Sequence, residues 1–486
     1  MAKFSQAVAA TKSAEVKRTE NGMKAWATSD SKVLDLFGKI GSGRGTDMSR
    51  LFSAALAEDQ ELAIRTLLWA RDVRGGAGER QTFRSLLSSL ESLNPALAGK
   101  IMYKVPELGR WDDLFAYRDP INRKAALRMY ADALMNGDGL AAKWAPRLAS
   151  SKKAVTAGKQ QKLRNANELR KFMMLSPKEY RQVLVNSTRV VEQLMCAKRW
   201  DEINFSHVPS LASARYQKAF GKNAADAYSA YIRELQKPQE ERDPKVKINA
   251  GAVYPYDVVK SLRRGNAAVA DAQFQALPNY VGDTKILPMV DVSGSMETPL
   301  AGNTSAMEVA ISLGLYLSDR TSSDFKNMFL TFSGNSKIQM LNGTLSQKYQ
   351  QLSRAEWGMN TNLHSAFEAV LNTAQKGNVA QEDMPDYILV LSDMQFDQCA
   401  RYDDTAIEMV SRKYKEAGYK MPAIIFWNLA ARSSADQSPV KTNSKGVALV
   451  SGFSPAVMAS VLGANPDDFT PYAMMCKTIM NDRYSF

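Results

Sequence analysis

Asp291-Val292-Ser293-Gly294-Ser295-Met296 is the stretch on which the reading of this 486-residue chain turns. It follows the apolar run Ile286-Leu287-Pro288-Met289-Val290, which has the composition of a buried strand, and it precedes a helical pattern over Ser305–Ser318. An Asp and two hydroxyls at alternate positions on a strand-to-loop turn put hard oxygen ligands on one side of the backbone. Such a set suits Mg2+ or Mn2+, which prefer oxygen donors and keep water in their remaining positions.

Two later stretches extend the pattern. Met359-Asn360-Thr361-Asn362-Leu363 places Thr361 in a loop before a helix, and Leu389-Val390-Leu391-Ser392-Asp393 ends an apolar strand on Asp393. From Thr284 onward apolar strands are expected at 286–292, 328–332, 387–392, 423–427 and 447–451, with a hairpin arm at 337–341. Helices are expected near 305–318, 363–373, 405–416, 455–462 and 471–480. Strands alternating with helices of this length predict a doubly wound, Rossmann-like α/β domain over 284–486, its largely parallel sheet covered on both faces. Ligands on such sheets bind at the carboxyl ends of strands, where Asp291 and Asp393 both fall.

Together Asp291, Ser293, Ser295, Thr361 and Asp393 resemble the metal-ion-dependent adhesion site (MIDAS) of von Willebrand factor A domains. The resemblance implies that Ser293 and Ser295 hold the metal directly and that Thr361 does so in one state. It implies that Asp291 and Asp393 act through water, and that an open position accepts water or a partner's carboxylate.

Composition narrows the remaining choices. A hydrophobic share of 45% with 23% charged residues is ordinary for a globular protein of two or three domains. No run of eighteen apolar residues occurs, so no membrane span is expected. The start, Met1-Ala2-Lys3-Phe4-Ser5, lacks the apolar core of a secretory signal. Cys196, Cys399 and Cys476 stand far apart without metal-ligand spacing, and a reduced, cytoplasmic setting is the expectation. Two histidines and three cysteines supply no Ser-His-Asp, Cys-His or zinc arrangement, so an enzyme is not expected.

Charge is unevenly spread. Of a net +13, residues 1–283 hold 46 basic and 30 acidic side chains, whereas residues 284–486 hold 17 basic and 20 acidic ones. The first part therefore invites a polyanion.

That first part reads as helices. Residues 1–30 are polar and Lys-rich and suggest a flexible arm. Over 31–283, short apolar-periodic segments broken by Gly- and Pro-rich turns suggest stacked helical pairs of the HEAT type, with no strict period. Gly41-Ser42-Gly43-Arg44-Gly45-Thr46 lacks the Gly-Lys-Ser/Thr ending and the preceding strand of a phosphate loop. Ser176-Pro177 reads as an N-cap and first-turn Pro. The most basic stretch runs from Lys143 to Lys171, with Arg147, Lys152, Lys153, Lys159, Lys162, Arg164 and Arg170 between. With Arg181, Arg189, Lys198 and Arg199, these are the candidate phosphate contacts. Aromatics of the 214–235 segment fall at core spacing, and the paired carboxylates Asp112-Asp113 fit a helix start, where capping accounts for them.

Ala70-Arg71-Asp72-Val73-Arg74-Gly75-Gly76-Ala77-Gly78-Glu79-Arg80, Gly109-Arg110-Trp111-Asp112-Asp113-Leu114 and Lys143-Trp144-Ala145-Pro146-Arg147, with the loops above, resemble the TROVE/Ro proteins. The likeness is closer still to TROVE-like proteins of viruses, bacteria and plants, and it covers nearly the whole chain. It implies a helical-repeat module closed against an A domain, and an RNA-binding scaffold for structured or single-stranded RNA. The alternative is a metal-dependent protein-interaction module that captures a partner's carboxylate, as a component of a viral assembly or beside a MoxR-type AAA+ ATPase.

Overall fold

The computed structural model describes residues 16–18, 24–148, 156–188, 190–237, 239–251, 253–263, 265, 267–297, 299–300, 304–332, 334–355, 362–394, 406–430, 438, 441–462 and 469–486. The chain compacts into two units. One holds residues up to Ala70, then 74–82 and 250–485; the other holds 71–73 and 83–249. This division is not the sequence-order boundary expected at 283/284, because the first helices fold with the sheet.

In the first unit, strands β1 (Val16–Arg18) and β2 (Lys24–Trp26) pair antiparallel. Trp26 also exchanges backbone hydrogen bonds with Ser438, at 2.9 and 2.7 Å, while Ala25 and Ser29 are buried. The expected loose arm is therefore corrected over 24–30, where these backbone bonds and the buried side chains fix the chain.

The main sheet comprises β3 (Ile286–Val290), β4 (Met328–Thr331), β5 (Ile338–Met340), β6 (Tyr387–Ser392), β7 (Ala423–Asn428) and β8 (Val447–Ser451). Their spatial order is β5-β4-β3-β6-β7-β8, and every pairing is parallel except β4 with β5. This is the mixed α/β arrangement expected of the C-terminal part. β3, β6, β7 and β8 are buried at nearly every position, as strands covered on both faces must be.

Side-chain alternation sorts the two faces. Leu287 and Met289 of β3 join Phe367 and Val370 of helix 363–377 and Val410 and Tyr414 of helix 406–416 in one apolar cluster. On the other face, helix 306–320 lies so close that a Cβ on Gly314 would stand 2.6 Å from Val290 Cγ2. That helix begins with a capping box, Ser305 accepting from Glu308 N and Glu308 reaching back to the Ser305 N–H.

Helix 32–40 packs against β8. Ser31 caps it by accepting from Leu34 N, and Val33, Leu34, Leu36, Phe37 and Ile40 form its buried face. Ser451 Oγ accepts from Gly41 N at 3.1 Å and donates to Phe37 O at 3.0 Å. A Cβ at Gly41 would lie 2.6 Å from the Gly452 nitrogen, so the glycine serves close backbone approach. The neighbouring Arg44 forks onto Glu79 and stacks 3.9 Å over Phe453, a structural role for the glycine-rich run.

The second unit is helical in its described residues, from helix 81–93 through helix 225–236. Its helix starts follow local chemistry: Asp119 before Pro120, Asp138 before Gly139, and Ser176 with Glu179 around Pro177 as a capping box. Tyr117, Tyr130 and Tyr180 are buried, and their hydroxyls donate to the carbonyls of Ala98, Ala141 and Pro146. Phe205, Phe220, Tyr228 and Tyr231 form an aromatic cluster with centroids 5.1–6.3 Å apart, the core role that spacing predicts for the last three.

Candidate metal centre and basic surface

β3 lies at the point where the winding of the sheet reverses: the chain moves outward to β4 and β5 on one side, then returns to β6, β7 and β8 on the other. Asp291 and Asp393 directly follow β3 and β6, the parallel neighbours that flank this point. The crevice at such carboxyl ends is where open α/β sheets bind ligands.

Both carboxylates are buried, Asp291 at 0% and Asp393 at 2% exposure. Asp291 Oδ1 accepts from Ser293 N at 2.9 Å and Oδ2 from Ser392 Oγ at 2.6 Å. The Asp291 N–H donates to Leu391 O at 3.0 Å, fixing the turn to the neighbouring strand. Burial and, next, the nearby Asp393 charge push the Asp291 carboxyl up to about 6, against the opposing effect of the Ser392 and Ser293 hydrogen bonds. The Ser293 and Ser295 hydroxyls stand 2.9 Å apart.

Two buried carboxylates that repel one another, beside two hydroxyls in hydrogen-bond contact, form an oxygen-only, anion-rich cluster. This donor set fits a hard divalent cation. The structure places four of the five predicted residues, Asp291, Ser293, Ser295 and Asp393, on the turn after β3 and at the end of β6. Thr361 lies outside the described residues. Ser392, which the sequence reading passed over as the last residue of a strand, touches Asp291 directly; its signal was a hydroxyl immediately before an acidic strand end.

The candidate phosphate contacts divide. Lys143, Lys159, Lys162, Arg164, Lys171, Arg181 and Lys198 are exposed. Helix 157–172 buries Asn165, Ala166 and Leu169, so Arg164 and Lys171, seven residues apart, share the opposite side. Arg147, although exposed, donates to Ala142 O and Thr188 Oγ1, both at 3.2 Å; Arg170 donates to Leu175 O at 2.7 Å; Arg199 pairs with Glu202. The first two are tied to backbone of the fold, whereas the Arg199–Glu202 pair lies exposed at the surface. Lys152, Lys153 and Arg189 lie outside the described residues.

Sequence reading also missed an ionic cluster. Asp113 accepts from Arg71 Nε and Arg84 Nε, each at 2.7 Å, and from Arg110 N at 3.0 Å. Asp112 accepts both arms of Arg110, whose guanidinium stacks 3.6 Å over Trp144. Capping therefore accounts for only part of this acidic pair.

Comparison with known proteins agrees with this architecture. Residues 285–474 match a domain of unknown function, DUF7788, and residues 124–284 match another, DUF2828. An uncharacterized protein of Acanthamoeba polyphaga mimivirus is 29% identical over 512 residues, spanning 94% of this chain and 86% of its own length. The crystal structure of the Ro (RSR) protein of Deinococcus radiodurans superposes with a TM-score of 0.50 at 16% identity, covering 93% of this chain and all of that one. The chain is thus Ro-like in fold, with a viral relative of similar length, as the resemblance implied. Among the described residues, no helix is long and apolar enough to cross a membrane.

Proposed function

We propose that this Ro-like chain is an RNA-binding scaffold, its HEAT-like helical pairs holding RNA phosphates and its von Willebrand A-like sheet carrying a Mg2+ or Mn2+ centre. The observation that carries the reading is the Ro-like fold over 93% of the chain, coupled with exposed cations on helix 157–172. Arg164 and Lys171, joined by Lys159, Lys162 and Arg181, would contact phosphate rather than bases, so the binding is expected to be tolerant of sequence. A binding role rather than an enzymatic one follows from the donor chemistry: among two histidines and three cysteines there is no nucleophile–base pair in the sequence pattern. Intracellular residence in the cytoplasm is part of the same proposal.

The metal would be held by Ser293 and Ser295, with Thr361 as a further ligand and with Asp291 and Asp393 as the outer acidic residues. When bound, it supplies a Lewis-acidic position for a carboxylate or water. The orientation of that position comes from the chain: Ser293 N and Ser392 Oγ hold the two Asp291 oxygens.

The specific pairing of buried acids and hydroxyls at the switch point favours a second reading, in which the A-like domain captures an acidic partner protein. A viral assembly component or a MoxR-type AAA+ ATPase would suit it.

The test is fluorescence anisotropy with single-stranded and hairpin RNA across a salt series. Wild type is compared with the quadruple variant Lys159→Ala, Lys162→Ala, Arg164→Ala, Lys171→Ala. Removing one phosphate-binding cation is expected to flatten the log–log salt slope by roughly 0.7–0.9. Absence of binding by wild type to RNA of either shape at physiological salt removes the RNA reading. Loss of partner capture on Ser293→Ala, with RNA binding intact, would establish the second.

A further inference from the structure

We propose that Ser392 is the positioning residue of the metal centre, its single hydroxyl locking together the two loops that carry the acidic residues. The inference rests on the metal reading above and adds to it a residue outside the five-member motif.

The argument begins with proton direction. Met394 N donates to Ser392 Oγ at 3.0 Å, and an amide N–H can only donate. The hydroxyl's own proton is therefore left for Asp291 Oδ2, 2.6 Å away. That bond crosses from β6 to the end of β3, while the Met394 bond closes the turn containing Asp393. Ser392 is itself immobile. It is wholly buried, its carbonyl accepts from Leu429 N at 3.0 Å, and it sits in register with Asn428 of β7.

The turn it closes is costly to hold. Met394 has φ 65°, a left-handed conformation that a side chain with a Cβ adopts rarely. Such conformations persist where surrounding bonds over-determine them, and they concentrate at functional sites. With Oδ1 held by Ser293 N and Oδ2 by Ser392, the plane of the Asp291 carboxylate is set before any cation arrives. Removing the Ser392 hydroxyl frees one Asp291 oxygen and unties the Asp393–Met394 turn together.

Hydrogen-bond partners of this kind around metal ligands cost about 10–100-fold in affinity when removed. The experiment is Mn2+ titration of the full chain, following free Mn2+ by electron paramagnetic resonance, with melting temperature in chelator recorded in parallel. Ser392→Ala and Ser392→Cys, the latter close in size but a poor donor, are both expected to weaken Mn2+ binding within that range. Ser392→Thr, which keeps the hydroxyl, is expected to restore most of it. Should the Ala variant fail to fold, the Cys variant carries the comparison.

If the Ala or Cys variant melts lower in chelator yet binds Mn2+ as wild type does, the role is structural and the inference is overturned. Failure of Ser392→Thr to rescue binding overturns it as well. The underlying metal reading fails differently: wild type itself does not take up Mn2+, and Ser293→Ala changes nothing.

Discussion

Arg71 Nε donates to Asp113 Oδ2 at 2.7 Å, with the two side chains only 2% and 0% exposed. Arg84 reaches the other oxygen of the same carboxylate. A buried ion pair of this kind is weak evidence for net stabilisation, but breaking it from one side is severe, because the remaining charge stays buried without its counterpart. Asp113→Ala is expected to destabilise the helical unit by about 3–5 kcal/mol. Urea unfolding followed by circular dichroism at 222 nm measures this, and a cost under about 1 kcal/mol would show that the cluster is dispensable.

Asp112 gives the cluster a pH signature. Burial alone would raise its pKa, but the Arg110 hydrogen bonds and the Arg84 and Arg110 charges overcome this and hold the carboxyl below its ordinary value. A group depressed in the folded state favours folding above its unfolded pKa of about 3.9 and loses that contribution as pH falls through the folded value. Melting temperatures should therefore drop below about pH 4 more steeply in wild type than in Asp112→Asn. Parallel acid limbs in the two proteins would contradict the assignment.

Gly314 sets how closely helix 306–320 approaches the sheet. Alanine would improve helix propensity by about 1 kcal/mol, yet its Cβ would stand 2.6 Å from Val290 Cγ2. Overpacking of about 1–3 kcal/mol should outweigh the gain, so Gly314→Ala lowers the melting temperature. In a Val290→Ala background the same substitution should be tolerated better. Additive costs would mean that the contact is not what fixes the helix.

Ser451 satisfies two buried backbone groups, Gly41 N and Phe37 O, with one hydroxyl. Ser451→Ala removes both bonds; the Gly41 N–H still donates to Lys39 O, so the expected cost is about 1–3 kcal/mol in all. The effect should be local: faster amide hydrogen exchange over 32–41, while β6 and β7 keep their protection. Uniform loss of protection across the sheet would place the defect elsewhere.

The parts of the fold legible in the sequence were those governed by local pattern. The limits expected for the strands at Tyr387–Ser392 and Val447–Ser451 coincide with β6 and β8. The strand expected over 286–292 stops at Val290, because Asp291 turns the chain and accepts from Ser293 two residues on. Spacing alone brought Asp291, Ser293 and Ser295 together.

What was not legible depends on distant partners. Nothing near Lys32–Ile40 announces that its apolar face meets β8, and nothing near Arg71 announces Asp113. The partners of the basic side chains are hidden in the same way. Composition counts Arg147, Arg170 and Arg199 equally with Lys159 or Arg164, although hydrogen bonds to carbonyls, a hydroxyl or a glutamate engage the first three.

The bond between Gly41 and Ser451 spans 410 residues of chain. At a synthesis rate of about 5–20 residues per second, helix 32–40 leaves the ribosome roughly 20–80 seconds before the strand it covers exists. During that interval its apolar face, with Phe37 and Ile40, has no sheet to cover, while residues 83–249 are already available to fold. For that time the nascent chain has helix 49–58, which also packs on helix 32–40, but not the strand whose Ser451 closes the end of that helix.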